Sequence, residues 1–386
     1  MSPTVSPQAL AILQTLEDAG YETWCVGGAI RDALLGDIGH DVDLATAATP
    51  DVVQRLFRRT VAVGIAHGTV GVLDAAGTLH EVTTFRRDVT TDGRHAVVAF
   101  GVSLDDDLAR RDFTINAIAY HPPRHAWHDP FDGRGDLARR LLRAVGDPAT
   151  RFREDRLRIL RALRFAARLD LTIDPPTWLA AQALAHDTGD LSAERVLGEW
   201  VKGLKTARAP ADLVRLWRES GVAAVWMPEA TASMPAGDLT RRDPVVLTAL
   251  ACAPGATVWR RLKGSTPEIR RAERIDAGPA EPASAAPVDV RRWMQAVGPA
   301  ADDLAQMATL RWGEAALWPG VMAGVRARGE ATSRGELALT GADLIEAGVS
   351  PGPAMGERLE RLLRAVIDDP ALNTRSALLA LLRSTP

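Results

Sequence analysis

The chain has 386 residues, 46% hydrophobic and 25% charged, with a formal net charge of −3. That length points to two to four domains, the apolar content excludes a disordered chain, and the net charge argues against an indiscriminate nucleic-acid-binding polycation. Cys25 and Cys252 stand alone and far apart, which excludes a disulfide framework and a cysteine zinc site and suits a reducing compartment. No run is apolar and long enough to span a bilayer, and no basic-then-apolar leader follows Met1. A cytoplasmic protein with no membrane partner is expected.

Residues 6–19 read as an amphipathic helix, with Leu10, Ile12, Leu13 and Leu16 at helical spacing. A strand over residues 22–26 runs into Gly27-Gly28, and a helix over 29–35 stops at Gly36. Asp41-Val42-Asp43-Leu44 alternates as a short strand, and Pro50 sits in the first turn of a helix over 51–58. Apolar strands follow at 61–63, 69–73 and 79–85, then a polar loop at 88–95, a return to the sheet at 96–100, and a helix within 108–120. From Phe152 onward the pattern is helical: 154–169, 176–186, 193–204, 209–220, 288–311 and 357–366, with an Ala/Pro-rich linker at 276–287. The fold class is therefore α+β: a mixed-sheet domain over residues 1–145, then helical segments over 146–215 and 216–386.

Three constellations carry chemistry. The first is Gly27-Gly28-Ala29-Ile30-Arg31-Asp32 followed by Asp41-Val42-Asp43. A strand–glycine–helix junction lets backbone N–H groups approach phosphates, and Arg31 adds a forked donor. Asp41 and Asp43, two apart on a strand, aim their carboxylates at one point, which suits a divalent metal held against a triphosphate. Alone, a Gly-Gly turn is an ordinary turn and Asp-x-Asp a solvated pair; in order within one strand–helix–strand unit they favour the functional reading. A dinucleotide fold fits less well, because the third glycine is missing.

The second constellation is Arg110-Arg111-Asp112 through Asn116-Ala117, with Arg111 a phosphate contact and Asp112 and Asn116 four apart on one helical face. The plain reading is a capped helix start. The third is Glu154-Asp155-Arg156-Leu157-Arg158, continuing through Arg161 and Arg164. Asp155 and Arg158, one turn apart, offer an acceptor beside a donor for a base edge, or simply a solvated charged face. Ten arginines lie between Arg139 and Arg168, a stripe that suits a phosphate chain. His67 reads as a turn residue. Glu81 reads as a strand residue, with a third-carboxylate role as its alternative.

These motifs, with Leu34-Leu35-Gly36, Thr83-Thr84-Phe85-Arg86, Asp92-Gly93-Arg94, Asp129-Pro130 and the run from Glu154 to Arg168, resemble the bacterial CCA-adding enzymes, the class II tRNA nucleotidyltransferases, whose head is shared with bacterial poly(A) polymerases. The resemblance covers roughly residues 20–205. It implies a nucleotidyltransferase head with a mixed sheet, followed by a helical neck, body and tail. It implies sequential addition of C, C and A to tRNA from CTP and ATP, with Mg²⁺ held by the catalytic Asp41 and Asp43. Gly28, Arg31 and Arg111 would bind the nucleotide; Asp155 and Arg158 would form the base-selecting template, completed by Arg161 and Arg164. Residues 86–100 look like the family's flexible loop, and Glu194-Arg195 with Glu199 like a motif that shapes the neck. An ATP-only poly(A) polymerase is the nearest alternative, although the basic C-terminal tail expected of that group is absent. An idle RNA-binding protein or a small-molecule nucleotidyltransferase fits less well.

Overall fold

A computed structural model of the chain describes residues 3–37, 42–91, 96–231, 234 and 242–384. The chain divides into two compact units, Met1–Pro228 and Glu229–Pro386.

The first unit begins with helix α1 (Pro7–Asp18), strand β1 (Thr23–Val26), α2 (Gly28–Leu34), β2 (Asp43–Thr46) and α3 (Pro50–Leu56). Strands β3 (Thr60–Gly64), β4 (Thr69–Leu73) and β5 (Leu79–Thr84) follow, then β6 (Arg86–Thr91), β7 (Ala96–Phe100) and α4 (Leu104–Ala109). Strands β8 (Ala119–His121) and β9 (Ala126–His128) complete a seven-stranded sheet of order β3-β4-β5-β2-β1-β8-β9. Only the β2–β5 pairing within it is parallel, so the expected mixed sheet is present.

Strand alternation sends the two faces to different cores. Leu44 and Val82 are fully buried on one face; Trp24, Val26 and Ala45 face the other, in a cluster with Phe85, Leu104 and Leu108. The Val26↔Asp43 pair belongs to that second face. Asp43 thus stands at the strand end, where the apolar cover gives out and the side chain is only half-buried.

The predicted return of residues 96–100 to the main sheet is not what forms. β7 pairs antiparallel with β6 (Arg86–Thr91) in a separate two-stranded sheet, so strand replaces the expected loop at residues 88–91. Asp92-Gly93-Arg94 lies outside the described residues. The helix expected within 108–120 is instead the end of α4, a 3-10 turn at Thr114–Asn116, and β8. Phe113 and Ile115 are fully buried there, and their burial between sheet and helix overrides the local helical pattern.

Next come α5 (Gly133–Ala138), β10 (Leu141–Leu142), α6 (Pro148–Glu154), α7 (Leu157–Leu169) and β11 (Thr172–Ile173). β10 and β11 form a short parallel ladder around α6 and α7. Helices α8 (Pro175–Ala183), α9 (Ala193–Thr206), α10 (Pro210–Glu219) and α11 (Val222–Trp226) complete the unit. α7, with Leu160 and Leu163 fully buried, packs on α9 and α10, and the Trp200 and Trp217 rings meet edge to face at 4.9 Å between α9 and α10. At Gly203 a side chain would collide with Leu213, 2.6 Å from where its Cβ would stand, so glycine permits this close helix approach.

Among the described residues of the second unit the named elements are all helices, from Pro244–Ala251 to Arg375–Ser384. Leu344, Val366 and Leu378 centre its C-terminal core. Arg271 joins Asp303 (2.6 Å) and Asp243 (2.8 Å) elsewhere in the unit. Among the described residues, no helix is long and apolar enough to cross a membrane.

Candidate active site

A polar cleft of about 680 Å³ opens between the sheet end and helix α7. Gly27 turns the chain from β1 into α2 with φ +87° and ψ −158°, a conformation open almost only to glycine. A Cβ there would lie 2.9 Å from Asp43 Oδ2. Gly27→Ala is therefore expected to cost about 1–3 kcal/mol of stability and to lower activity further than thermal denaturation curves alone account for, because it displaces the Asp43 carboxylate.

Asp43, Glu81, Thr69 and Thr83 line the sheet side of the cleft. Glu81 precedes Val82 and Asp43 precedes Leu44, which pair directly, so the two carboxylates stand in adjacent parallel strands on the same face. A half-buried carboxylate at a strand end, a second acid beside it and a glycine that leaves the space open suit a divalent cation. Asp41 lies outside the described residues, and among those described no group of three or more metal-ligating side chains comes together.

Gly28 also lines the cleft. Arg31, read from sequence as a phosphate donor, is 3% exposed. Its Nε donates to Asp32 Oδ1 (2.8 Å) and its Nη1 to Asn116 Oδ1 (2.6 Å). Burial pulls its pKa below the ordinary guanidinium value, against the opposing pull of Asp32. Arg111 reaches the Asn116 carbonyl (3.0 Å) and Asp107 Oδ2 (3.2 Å), and its buried Nε has no hydrogen-bond partner among the described residues. Asp107, 1% exposed, also receives Arg110 Nη2 at 2.8 Å, so one buried carboxylate aims two arginines.

Helix α7 and the segment before it supply the other wall. Residues 154–169 do not form one helix. Asp155 is extended (φ −149°, ψ 105°) between α6 and α7, and its Oδ1 accepts from the Leu157 N–H at 3.1 Å. Aspartate favours such helix-start positions, where it satisfies an orphan amide. Asp155 and Arg158 both line the cleft, each with its own anchor. Arg158 Nη1 donates to Glu154 Oε2 (2.8 Å) and its Nη2 to the Arg110 carbonyl (2.9 Å); Asp155 is held by Arg195.

The remaining arginines of α7 are also tied. Arg161 Nε donates to Asp112 Oδ2 (2.8 Å), Arg164 Nε to Glu199 Oε2 (2.5 Å), and Arg168 Nη2 to Asp32 Oδ2 (2.9 Å). Burial disfavours the Arg161 charge, but neighbouring Asp112 more than offsets this and raises its pKa. The guanidiniums of Arg31, Arg161 and Arg164 lie 5.0, 5.3 and 4.3 Å from the centroid of the Phe165 ring. Sequence reasoning missed Phe165, Asp107 and the Asp32–Arg168 pair. The last spans 136 positions, and no local spacing announces it.

Three family profiles match: "Poly A polymerase head domain" over residues 23–143, "Probable RNA and SrmB- binding site of polymerase A" over 170–234, and "tRNA nucleotidyltransferase domain 2 putative" over 330–382. A CCA-adding enzyme of Limosilactobacillus fermentum is 34% identical over 395 aligned positions, 98% of this chain and 96% of that one. The chain belongs to the CCA-adding enzyme family. A second CCA-adding enzyme, from Levilactobacillus brevis, is 50% identical over 210 residues; that match spans 54% of this chain and about half (52%) of the relative. The crystal structure of the Bacillus stearothermophilus CCA-adding enzyme in complex with CTP is similar with a TM-score of 0.80, at 32% identity, covering 98% of each chain. Like other nucleotidyltransferases, CCA-adding enzymes typically work with a divalent metal.

Proposed function

We propose that this chain adds C, C and then A to the 3′ end of tRNA, using CTP and ATP and releasing pyrophosphate, in the cytoplasm and with Mg²⁺ as the ion. The observation that carries this reading is the convergence of Asp43, Asp155 and Arg158 on one cleft. A carboxylate for the reacting phosphate and a donor–acceptor pair for a base edge thus occupy one space.

In this reading Asp43, with Asp41, holds the ion. Mg²⁺, when bound, supplies charge neutralisation at the reacting phosphate and activation of the RNA 3′-hydroxyl. The N-terminus of α2 at Gly28, together with Arg111, orients the triphosphate. Asp155 accepts from the amino group of cytosine or adenine, and Arg158 donates to the adjacent ring nitrogen or keto oxygen. A wrong base leaves these groups unpaired, which is the stronger form of rejection. Arg161 and Arg164, braced by Asp112 and Glu199, keep the wall behind the base in place. The second unit contributes to tRNA binding. The relatives named above are CCA-adding enzymes, so the ATP-only alternative has no support from them.

The test supplies Mg²⁺ and a tRNA transcript lacking its 3′ CCA with CTP, ATP, or both. Two additions with CTP and one more when ATP joins are expected; a long A ladder with ATP alone would overturn the reading. In the same assay Arg158→Ala is expected to lower the preference for CTP over UTP by about tenfold or more. Equal losses with all four nucleotides would remove Arg158 from base selection.

A further inference from the structure

Asp155 is positioned from outside the cleft. Arg195, on α9 and absent from the cleft lining, places its Nη2 3.0 Å from Asp155 Oδ1 and 3.1 Å from Oδ2. The Leu157 N–H takes Oδ1 as well. A carboxylate on an extended residue between two helices is otherwise free to turn about its Cβ–Cγ bond. One donor shared between both oxygens, with a backbone amide on one of them, fixes that plane.

The hold is firm because α9 is itself fixed. Val196 and Trp200 are buried beside Arg195. One turn on, Glu199 receives Arg164 at 2.5 Å, with both side chains less than a tenth exposed. Arg195 and Glu199, four residues apart, thus share the face of α9 that meets α7, one reaching Asp155 and the other the arginine row.

We propose that Arg195 is a positioning residue for base selection: by fixing the plane of the Asp155 carboxylate it sets the discrimination between amino-bearing and keto-bearing bases. This rests on the reading of Asp155 as the base acceptor. A carboxylate accepts only. Correctly turned, it takes a hydrogen bond from an amino group at cytosine C4 or adenine C6 and repels the keto oxygen that uracil or guanine presents there. Turned away, it does neither, and the two classes of base become more alike.

The experiment measures kcat/KM for CTP and UTP on a tRNA transcript lacking CCA, for the full chain, Arg195→Ala, Arg195→Lys, Asp155→Ala and the double variant Asp155→Ala/Arg195→Ala. Arg195→Ala is expected to lower the CTP:UTP ratio about tenfold or more while changing kcat with saturating CTP by less than about threefold. Arg195→Lys, which keeps a charged donor but loses the planar guanidinium fork, is expected to fall between. In the Asp155→Ala background the further change is expected to have no effect on the ratio, because Arg195 acts through Asp155. An unchanged ratio in Arg195→Ala overturns the proposal, as does a further loss in the double variant equal to that in the single one. Should Arg195→Ala fail to fold, an unchanged ratio in Arg195→Lys overturns it equally. Absence of CTP incorporation by the unaltered chain would overturn the proposed function instead.

Discussion

Asp43→Ala is expected to lower incorporation of every nucleotide by about 10³-fold or more, a barrier increase of roughly 4 kcal/mol, while stability changes by no more than ~1 kcal/mol. The asymmetry follows from its place. Asp43 stands half-buried at the start of β2 with its carboxylate in the cleft, while the next residue, Leu44, is fully buried and anchors the strand. Removing the carboxylate leaves the Leu44 packing intact. Single-turnover incorporation measured beside a urea unfolding curve checks both halves. A loss of less than tenfold, or one matched by unfolding, would remove Asp43 from the chemistry.

The largest expected effect on stability belongs to Asp112→Ala. Asp112 is 8% exposed and accepts from Arg161 Nε (2.8 Å), Asn116 Nδ2 (2.9 Å) and the Phe113 N–H (2.9 Å). Breaking a buried pair by removing one partner costs about 3–5 kcal/mol. Because the Arg161 side chain is 33% exposed, water screens part of the loss, and about 3 kcal/mol is expected.

The pH dependence of that cost has a definite sign. Burial pushes the Asp112 carboxyl up, but Arg161, Asn116 and the Phe113 amide together hold it below the usual carboxylate value. A carboxyl with a lowered folded-state pKa stabilises the fold above its unfolded value, near 4, and that contribution is lost as pH falls through the folded value. The stability gap between the two proteins is therefore expected to be constant from about pH 8 to 5 and to close below about pH 4. Urea midpoints across that range measure it; a gap that widens in acid would contradict this account.

The sheet, the helical second half and the cleft's location were legible because their determinants are local. Gly27-Gly28 marks a tight strand-to-helix junction, and the alternation of Val42 with Asp43 and Leu44 states which side chains face inward. Asp155 was harder to read. The charge spacing of Glu154–Arg164 continues through it, so periodicity alone predicted one helix; its preference for capping breaks the helix there, and Arg158 finds Glu154 and the Arg110 carbonyl instead of Asp155. Arg31 was legible only in part. It lines the cleft as an arginine after a glycine turn should, but its partners Asp32 and Asn116 appear only in the packed chain. The β6–β7 pairing is set by a partner strand that the polar composition of residues 88–95 does not advertise.

The arginine row of α7 has a consequence for what the cleft refuses. A wall of bare guanidiniums would act as a sponge for any polyanion, because each would exchange loosely held solution ions for phosphate. Here Arg161, Arg164 and Arg168 already hold the chain's own carboxylates. An incoming anion must displace or share a resident partner before it gains anything. A stray stretch of RNA backbone offers only charge for that exchange. On the function proposed above, a nucleoside triphosphate would bring a base edge and three phosphates at once, and so would meet the paired wall with more than charge.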